Sequence, residues 1–202
     1  MKPRFPGVRV HETAMIEDGV RIGAGSSVWD NVHIRKNASL GRHCVVGEKT
    51  YIAYDVRIGD YVKLNAFVYI PAGVTIEDKV MISAGSIFVN DKYPRAFDQR
   101  SKGLKSSSPN EETLETFVRE GATIGAGATI LGGLEIGRFA LVGAGSVVTK
   151  SVASHALVVG NPARQIGWVC VCGHKLLLKK NAAQCIRCPF VLKLKNKKVA
   201  LC

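Results

Sequence analysis

No stretch of this 202-residue chain approaches 18 consecutive apolar residues, so no transmembrane helix is expected. No apolar segment follows the charged start Met1-Lys2-Pro3-Arg4-Phe5-Pro6, which argues against a secretory signal. Acids are scarce: 16 Asp and Glu face 28 Lys and Arg, a net charge of +12. That excess favours anionic partners such as nucleic acid, phosphorylated cofactors or nucleotide-sugars, without choosing among them. Apolar residues reach 47% and charged residues 22%, enough for a buried core and against disorder as the main state. The length fits one domain with a small appendage. A reducing cytoplasm is the expected compartment, and the six Cys are read in that light.

What is present is a repeat. Stepping by six from Val10 to Phe88 meets an apolar residue every time, and the series resumes from Val118 to Val148. Four residues after each lies a second column, small or β-branched in its first run, as at Ala14, Val20, Ser26 and Val32. A helix places apolar residues three and four apart and a strand two apart, so six fits neither alone. It fits a short strand and a tight corner, repeated, with one large and one small side chain of each hexad inward. Ile22-Gly23-Ala24-Gly25-Ser26 recurs at Ile124–Ala128 and Val142–Ser146, and glycine suits the positive φ of sharp corners. Three hexads then close a triangular coil of 18 residues, and stacked coils bury one another. The pattern resembles the left-handed parallel β-helix of hexapeptide-repeat acyltransferases, an all-β fold; the handedness is implied by that resemblance.

Residues 89–117 break the repeat as a long excursion loop, a length that is usually functional or disordered. Gly160-Asn161-Pro162 ends the solenoid, giving one domain over 1–168 and a cysteine-bearing module over 169–202. Outward residues 18 apart should stack. One such column reads Met15, His33, Tyr51, Tyr69, Ile87: polar aromatics fit to line a groove or to meet a second subunit. Another, Lys36, Tyr54, Ala72, Asn90, runs into the excursion and places chemistry near Asn90.

Three segments narrow the family: Trp29-Asp30-Asn31-Val32-His33, then Asn90-Asp91-Lys92-Tyr93-Pro94-Arg95, then Gly160-Asn161-Pro162-Ala163-Arg164. Over residues 8–168 the chain resembles nucleotide-amino-sugar N-acetyltransferases. The resemblance is greatest to those acting on the 3-amino group of UDP-2-acetamido-3-amino-2,3-dideoxy-glucuronate. It departs at Asp30, where the family often has His, and at Ser151-Val152-Ala153, where Asp-Val-Pro is common. The resemblance implies acetyl transfer from acetyl-CoA, with Asn90 and Asp91 catalytic. Trp29, His33, Tyr69, Tyr93 and Arg95 would contact the sugar nucleotide. Gly143, Ala144, Lys150, Asn161 and Arg164 would hold acetyl-CoA, and the chain would be a homotrimer with sites between subunits. His33 is expected to contact substrate and not to act as the base. An Asn-Asp pair in a loop is otherwise an ordinary turn-former.

Cys170-x-Cys172, twelve residues, then Cys185-x-x-Cys188 reads as a zinc ribbon: two knuckles giving a structural zinc four thiolates, with His174 able to replace one. Leu192-Lys193-Leu194-Lys195 alternates as a ribbon strand should. Cys44 belongs to the inward small column, and Cys202 is assigned no role. Two other readings exist. A nucleic-acid docking ribbon is disfavoured because its lysines are not interleaved with aromatics beyond Phe190. A carbonic anhydrase on the same fold needs three converging His ligands, and the coil neighbours of His33 are Met15 and Tyr51.

Overall fold

Most hexads fold as a two-residue strand and a four-residue corner, as at Arg21–Ile22, Ser27–Val28 and His33–Ile34. The computed structural model describes residues 4–106, 108–179, 182–189, 191–195 and 198–200; no α-helix occurs among them. Strands 18 residues apart pair in parallel: Arg9 lies beside Ser27, His33 beside Tyr51, and Ser39 beside Arg57. The coils therefore stack into three faces. The first begins at Arg9–Val10, the second at Met15–Ile16 and the third at Arg21–Ile22. This is the all-β parallel β-helix that the six-residue period predicts.

The interior follows the two columns. Ile34, Ile52 and Ile70 are fully buried one above another, and the small column fills the remaining space. Its hydroxyls are not a burden. Ser26 Oγ donates to the Gly41 carbonyl at 3.0 Å and accepts the Cys44 N–H at 2.9 Å. Thr50 repeats the arrangement with Asn65 and Val68 one coil on. Inward polar atoms thus bond the neighbouring coil's backbone and avoid the cost of unpaired burial.

The corners differ from the glycine expectation. Positive φ recurs with the hexad at Asn31 (53°), Asn37 (63°), Tyr61 (57°) and Phe67 (58°) as well as at glycines. In Gly23-Ala24-Gly25 the two glycines have separate duties. Gly25 carries φ +79°, whereas a Cβ on Gly23 would lie 2.6 Å from the Gly41 backbone. The first glycine permits coil contact; the second permits the bend.

The chain leaves the second face after Phe88 and rejoins the third at Thr116–Val118, so Thr116 and Phe117 belong to a strand and not to the excursion. Val74 then pairs with Thr116, a separation of 42 (116 − 74), which is 18 plus 24. The ladder continues without a slip. Within the excursion Phe97–Asp98 and Gly103–Leu104 form a small antiparallel ribbon.

At the far end an antiparallel hairpin, Ala156–Val159 with Arg164–Trp168, completes the first face. A separate four-stranded antiparallel sheet follows: Leu177–Lys179, Ala182–Gln184, Val191–Lys195 and Lys198–Ala200. It contains the alternating strand expected at 192–195. The Val169 N–H donates to the His155 carbonyl and the Leu176 N–H to that of Trp168, each at 2.8 Å, tying this module to the helix end. Phe190 and Cys202 lie outside the described residues. Among the described residues no helix is long and apolar enough to cross a membrane.

Candidate active site

Because the excursion departs from the second face, it folds back over the edge that carries the tyrosine column. Between the two lies a cleft of about 460 Å³. Tyr51, Tyr54, Tyr69 and Arg35 form its coil side; Asn90, Asp91, Arg95 and Lys105 come from the excursion. Tyr51 and Tyr69 stack with centroids 5.3 Å apart and planes 10° apart, as their register dictates. His33 meets Tyr51 edge-on at 5.5 Å. Burial pushes the Tyr69 phenol up, with Tyr51 and the Asp91 carboxylate adding to the effect.

Asn90 is the point where the second column reaches the excursion. Its amide donates to the Ala72 carbonyl at 3.1 Å, and its own carbonyl accepts the Leu114 N–H at 3.1 Å. The residue therefore pins both roots of the excursion. With one Nδ2 hydrogen committed, Oδ1 and the second N–H remain to meet a ligand, and the oxygen suits an amine N–H. Asp91 is exposed at the cleft wall beside it.

Arg35, which the motifs do not single out, contributes a cation to the coil side of this cleft. Its Nε lies 2.5 Å from Glu17 Oε1, its Nη1 donates to the Tyr51 hydroxyl at 2.8 Å, and its Nη2 bonds the Tyr54 hydroxyl. Burial works against the charge of Glu17, but the Lys36 N–H, His33 and Arg35 overcome it and lower its pKa. Arg35 thereby braces two tyrosines at once. The signal was available: Glu17 and Arg35 are opposite charges 18 apart. Lys105, paired with Glu112 at 3.0 Å, is the other missed residue, and no period announces it.

Of the expected sugar contacts, Tyr69 and Arg95 line the cleft and three do not. His33 sits one coil below, held to Glu17 at 3.0 Å. Trp29 is exposed at a different corner. Tyr93, 74% exposed, borders a smaller hollow with Lys92 and Leu114 on the other side of Asp91. The expected acetyl-CoA residues also lie away from the cleft. Gly143 and Ala144 share a corner with the Gly160–Ala163 turn, which bonds Ser146 and Val147. Arg164 follows that turn, and exposed Lys150 stands at the next corner. Gly143 has a packing reason of its own, since a Cβ there would lie 2.7 Å from Val159 Cγ1.

The four module cysteines converge. Cys170 and Cys188 sulfurs are 3.4 Å apart, Cys172 and Cys185 3.5 Å, and Cys172 and Cys188 3.7 Å; no disulfide joins them. A tetrahedron with zinc–sulfur bonds of about 2.3 Å has edges of about 3.8 Å, so the donor set fits such an ion. Burial pushes the Cys170 thiol up to about 12, while the Arg187 N–H brings Cys185 down to about 6. The four sulfurs lie within 4.8 Å of one another, close enough to share one metal ion.

These features define a hexapeptide-repeat parallel β-helix with a site at its excursion and a cysteine cluster at its end. The bacterial transferase hexapeptide family (six repeats) matches residues 19–54, and the hexapeptide repeat of succinyl-transferase matches 120–150. Among curated proteins, the chain is 51% identical over 70 residues to a dTDP-3-amino-3,6-dideoxy-alpha-D-galactopyranose 3-N-acetyltransferase from Aneurinibacillus thermoaerophilus, 35% of this chain and 36% of that one. It is 30% identical over 153 residues to the bifunctional protein GlmU of Streptococcus pyogenes serotype M12, 76% of this chain and 29% of that one. The chain thus spans well under half the length of these relatives. A solved structure of a mutant of AntD, an N-acyltransferase from Bacillus cereus in complex with dTDP and coenzyme A, shares the fold with a TM-score of 0.53 and 20% identity. It covers 82% of this chain and 84% of that one.

Proposed function

We propose that this protein is an N-acetyltransferase that moves the acetyl group of acetyl-CoA onto the amine of a nucleotide-linked amino sugar. The observation that carries the reading is the convergence of Asn90 and Asp91 with the Tyr51–Tyr69 stack in one cleft. The amine lone pair attacks the thioester carbon, a tetrahedral oxyanion forms, and its collapse breaks the C–S bond. The amide product keeps the new C–N bond, and the thiolate leaves with the proton the amine gives up. Asn90 Oδ1 accepts an amine N–H and aims the lone pair. An amine flanked by electron-withdrawing oxygens titrates nearer an α-amino group, at about 7.7–8.0, so much of it is neutral without a strong base. Asp91 holds the amine or accepts its proton.

The acceptor is assigned as UDP-2-acetamido-3-amino-2,3-dideoxy-glucuronate. Arg35, Arg95 and Lys105 in the cleft suit a uronate carboxylate or the diphosphate. The dTDP-3-amino-sugar relative favours a second reading with a deoxy sugar. Acetyl-CoA is assigned to Gly143, Ala144, Lys150, Asn161 and Arg164. Since none of these lines the cleft of its own chain, a homotrimer that brings one copy's cofactor corner to a neighbour's cleft supports catalysis best. The cysteine cluster is assigned a structural zinc. Mass spectrometry of products from acetyl-CoA and a panel of UDP- and dTDP-amino sugars tests the reading. A mass increase of one acetyl group on a 3-amino sugar is expected; no acetylated product from any of them would reject it.

A further inference from the structure

Arg35 does more at the cleft than add a positive charge. Both of its terminal nitrogens are engaged by phenols: Nη1 donates to the Tyr51 hydroxyl at 2.8 Å, and Nη2 donates to the Tyr54 hydroxyl. A phenol has one O–H to give and lone pairs with which to receive. Where its oxygen accepts from a cation, its own hydrogen points elsewhere. Among the described residues neither hydroxyl finds an acceptor, and both tyrosines line the cleft. One guanidinium thus presents two O–H donors to an open cavity. Hydrogen bonds polarise one another along a chain, so a hydroxyl backed by a cation is the stronger donor. Two such donors match the two oxygens that a carboxylate or a phosphate presents.

The guanidinium is itself held. Its carbon lies 4.2 Å from the Tyr54 ring centroid, and its Nε is 2.5 Å from Glu17 Oε1. Glu17 is fixed in turn by the Lys36 N–H, which donates to Oε2 at 2.9 Å, and by His33 Nε2, 3.0 Å from Oε1. Glu17 does not line the cleft and meets it only through Arg35. Tyr54 stands two coils below Asn90 in the same column, about 10 Å away at about 4.8 Å per coil. The end of the cleft that would recognise charge is therefore apart from the end where acetyl transfer is assigned.

We propose that the Tyr51 and Tyr54 hydroxyls, backed by Arg35, hold an anionic group of the acceptor, a carboxylate or a phosphate, with Glu17 as a positioning residue that acts through Arg35. This ligand rests on the nucleotide-sugar reading of the cleft. Calorimetric binding of UDP-glucuronate, UDP-glucose and dTDP-glucose to the full chain, beside an acetylation assay, tests it. Tyr51→Phe and Tyr54→Phe keep the rings and remove only the hydroxyls. Each should weaken binding about tenfold or more, the scale of a hydrogen bond to a charged group. A loss confined to UDP-glucuronate places the hydroxyls on the carboxylate; an equal loss for the neutral sugars places them on the diphosphate. Glu17→Gln should weaken the same ligand by less than either phenylalanine variant. It should raise KM for the acceptor while kcat and KM for acetyl-CoA barely move, a split that general loosening of the fold would not give. Variants that bind as the wild type does would overturn the proposal, while acetylation by the wild type would leave the acetyltransferase reading standing. Hydroxyl-dependent binding without acetyl transfer to any amino sugar would do the reverse. Failure of the wild type to bind any of the three nucleotide sugars would overturn both.

Discussion

The side-chain amide of Asn90 donates to the carbonyl of Ala72, 18 residues earlier and one coil below, at 3.1 Å. That bond fixes the amide plane, so Oδ1, which has no partner among the described residues, holds a set direction. Asn90→Ala should lower kcat/KM by about 10²–10³, the usual scale for losing one preorganised group. KM for acetyl-CoA should hardly move. Steady-state kinetics check both, and near-wild-type rates would remove the loop from the chemistry.

Asp91 faces Tyr69 across the cleft wall and helps to raise its phenol pKa. Asp91→Asn should cost less than about tenfold in kcat, with the acidic limb of the pH profile following the substrate amine. Loss of that limb with a steep fall in rate would make Asp91 the general base instead. The same variant should lower the Tyr69 titration midpoint, visible as tyrosinate absorbance at alkaline pH.

Purified protein should contain about one zinc per chain, measured by elemental analysis. Cys185→Ser should release it and lower the melting temperature, because the module is tied to the helix end through Val169 and Leu176. Untreated folded protein without zinc would refute the assignment.

His155 is buried, stacked on Phe139 at 5.3 Å, and donates from Nδ1 to the Val169 carbonyl at 3.0 Å; its Nε2 has no partner among the described residues. Burial lowers its pKa despite that bond, and Arg138 adds in the same direction. A histidine depressed below its unfolded value of 6.5 stabilises the fold fully above that pH and loses this as pH falls through the folded value. Thermal melts should therefore show stability declining below about pH 6.5. Carboxylates such as Glu77, also depressed, lose theirs only below 4.5. His155→Phe should start less stable, with the Val169 carbonyl unpaired, and lack the upper limb.

The helix was legible because a six-residue period constrains every inward position, and 18-residue register followed from it. Tyr51 over Tyr69 and Asn90 over Ala72 are direct readings of that register. Glu17 and Arg35 obey the same rule, and only a charge comparison between coils would have found them. Lys105 and Glu112 were hidden, because nothing in the excursion repeats and their pairing is purely tertiary. At Gly143 two demands coincide: resemblance makes it a cofactor contact, and a Cβ there would lie 2.7 Å from the hairpin side chain of Val159.

The 42-residue step from Val74 to Thr116 makes the excursion an exchangeable cassette. Removing 24 residues, 91–114, would leave Glu115 and Thr116 in the phase that an uninterrupted ladder demands. The scaffold then keeps its register whatever is spliced at that edge. Under the proposed function, a different loop spliced there would reshape the excursion's wall of the cleft while the coils keep their 18-residue spacing.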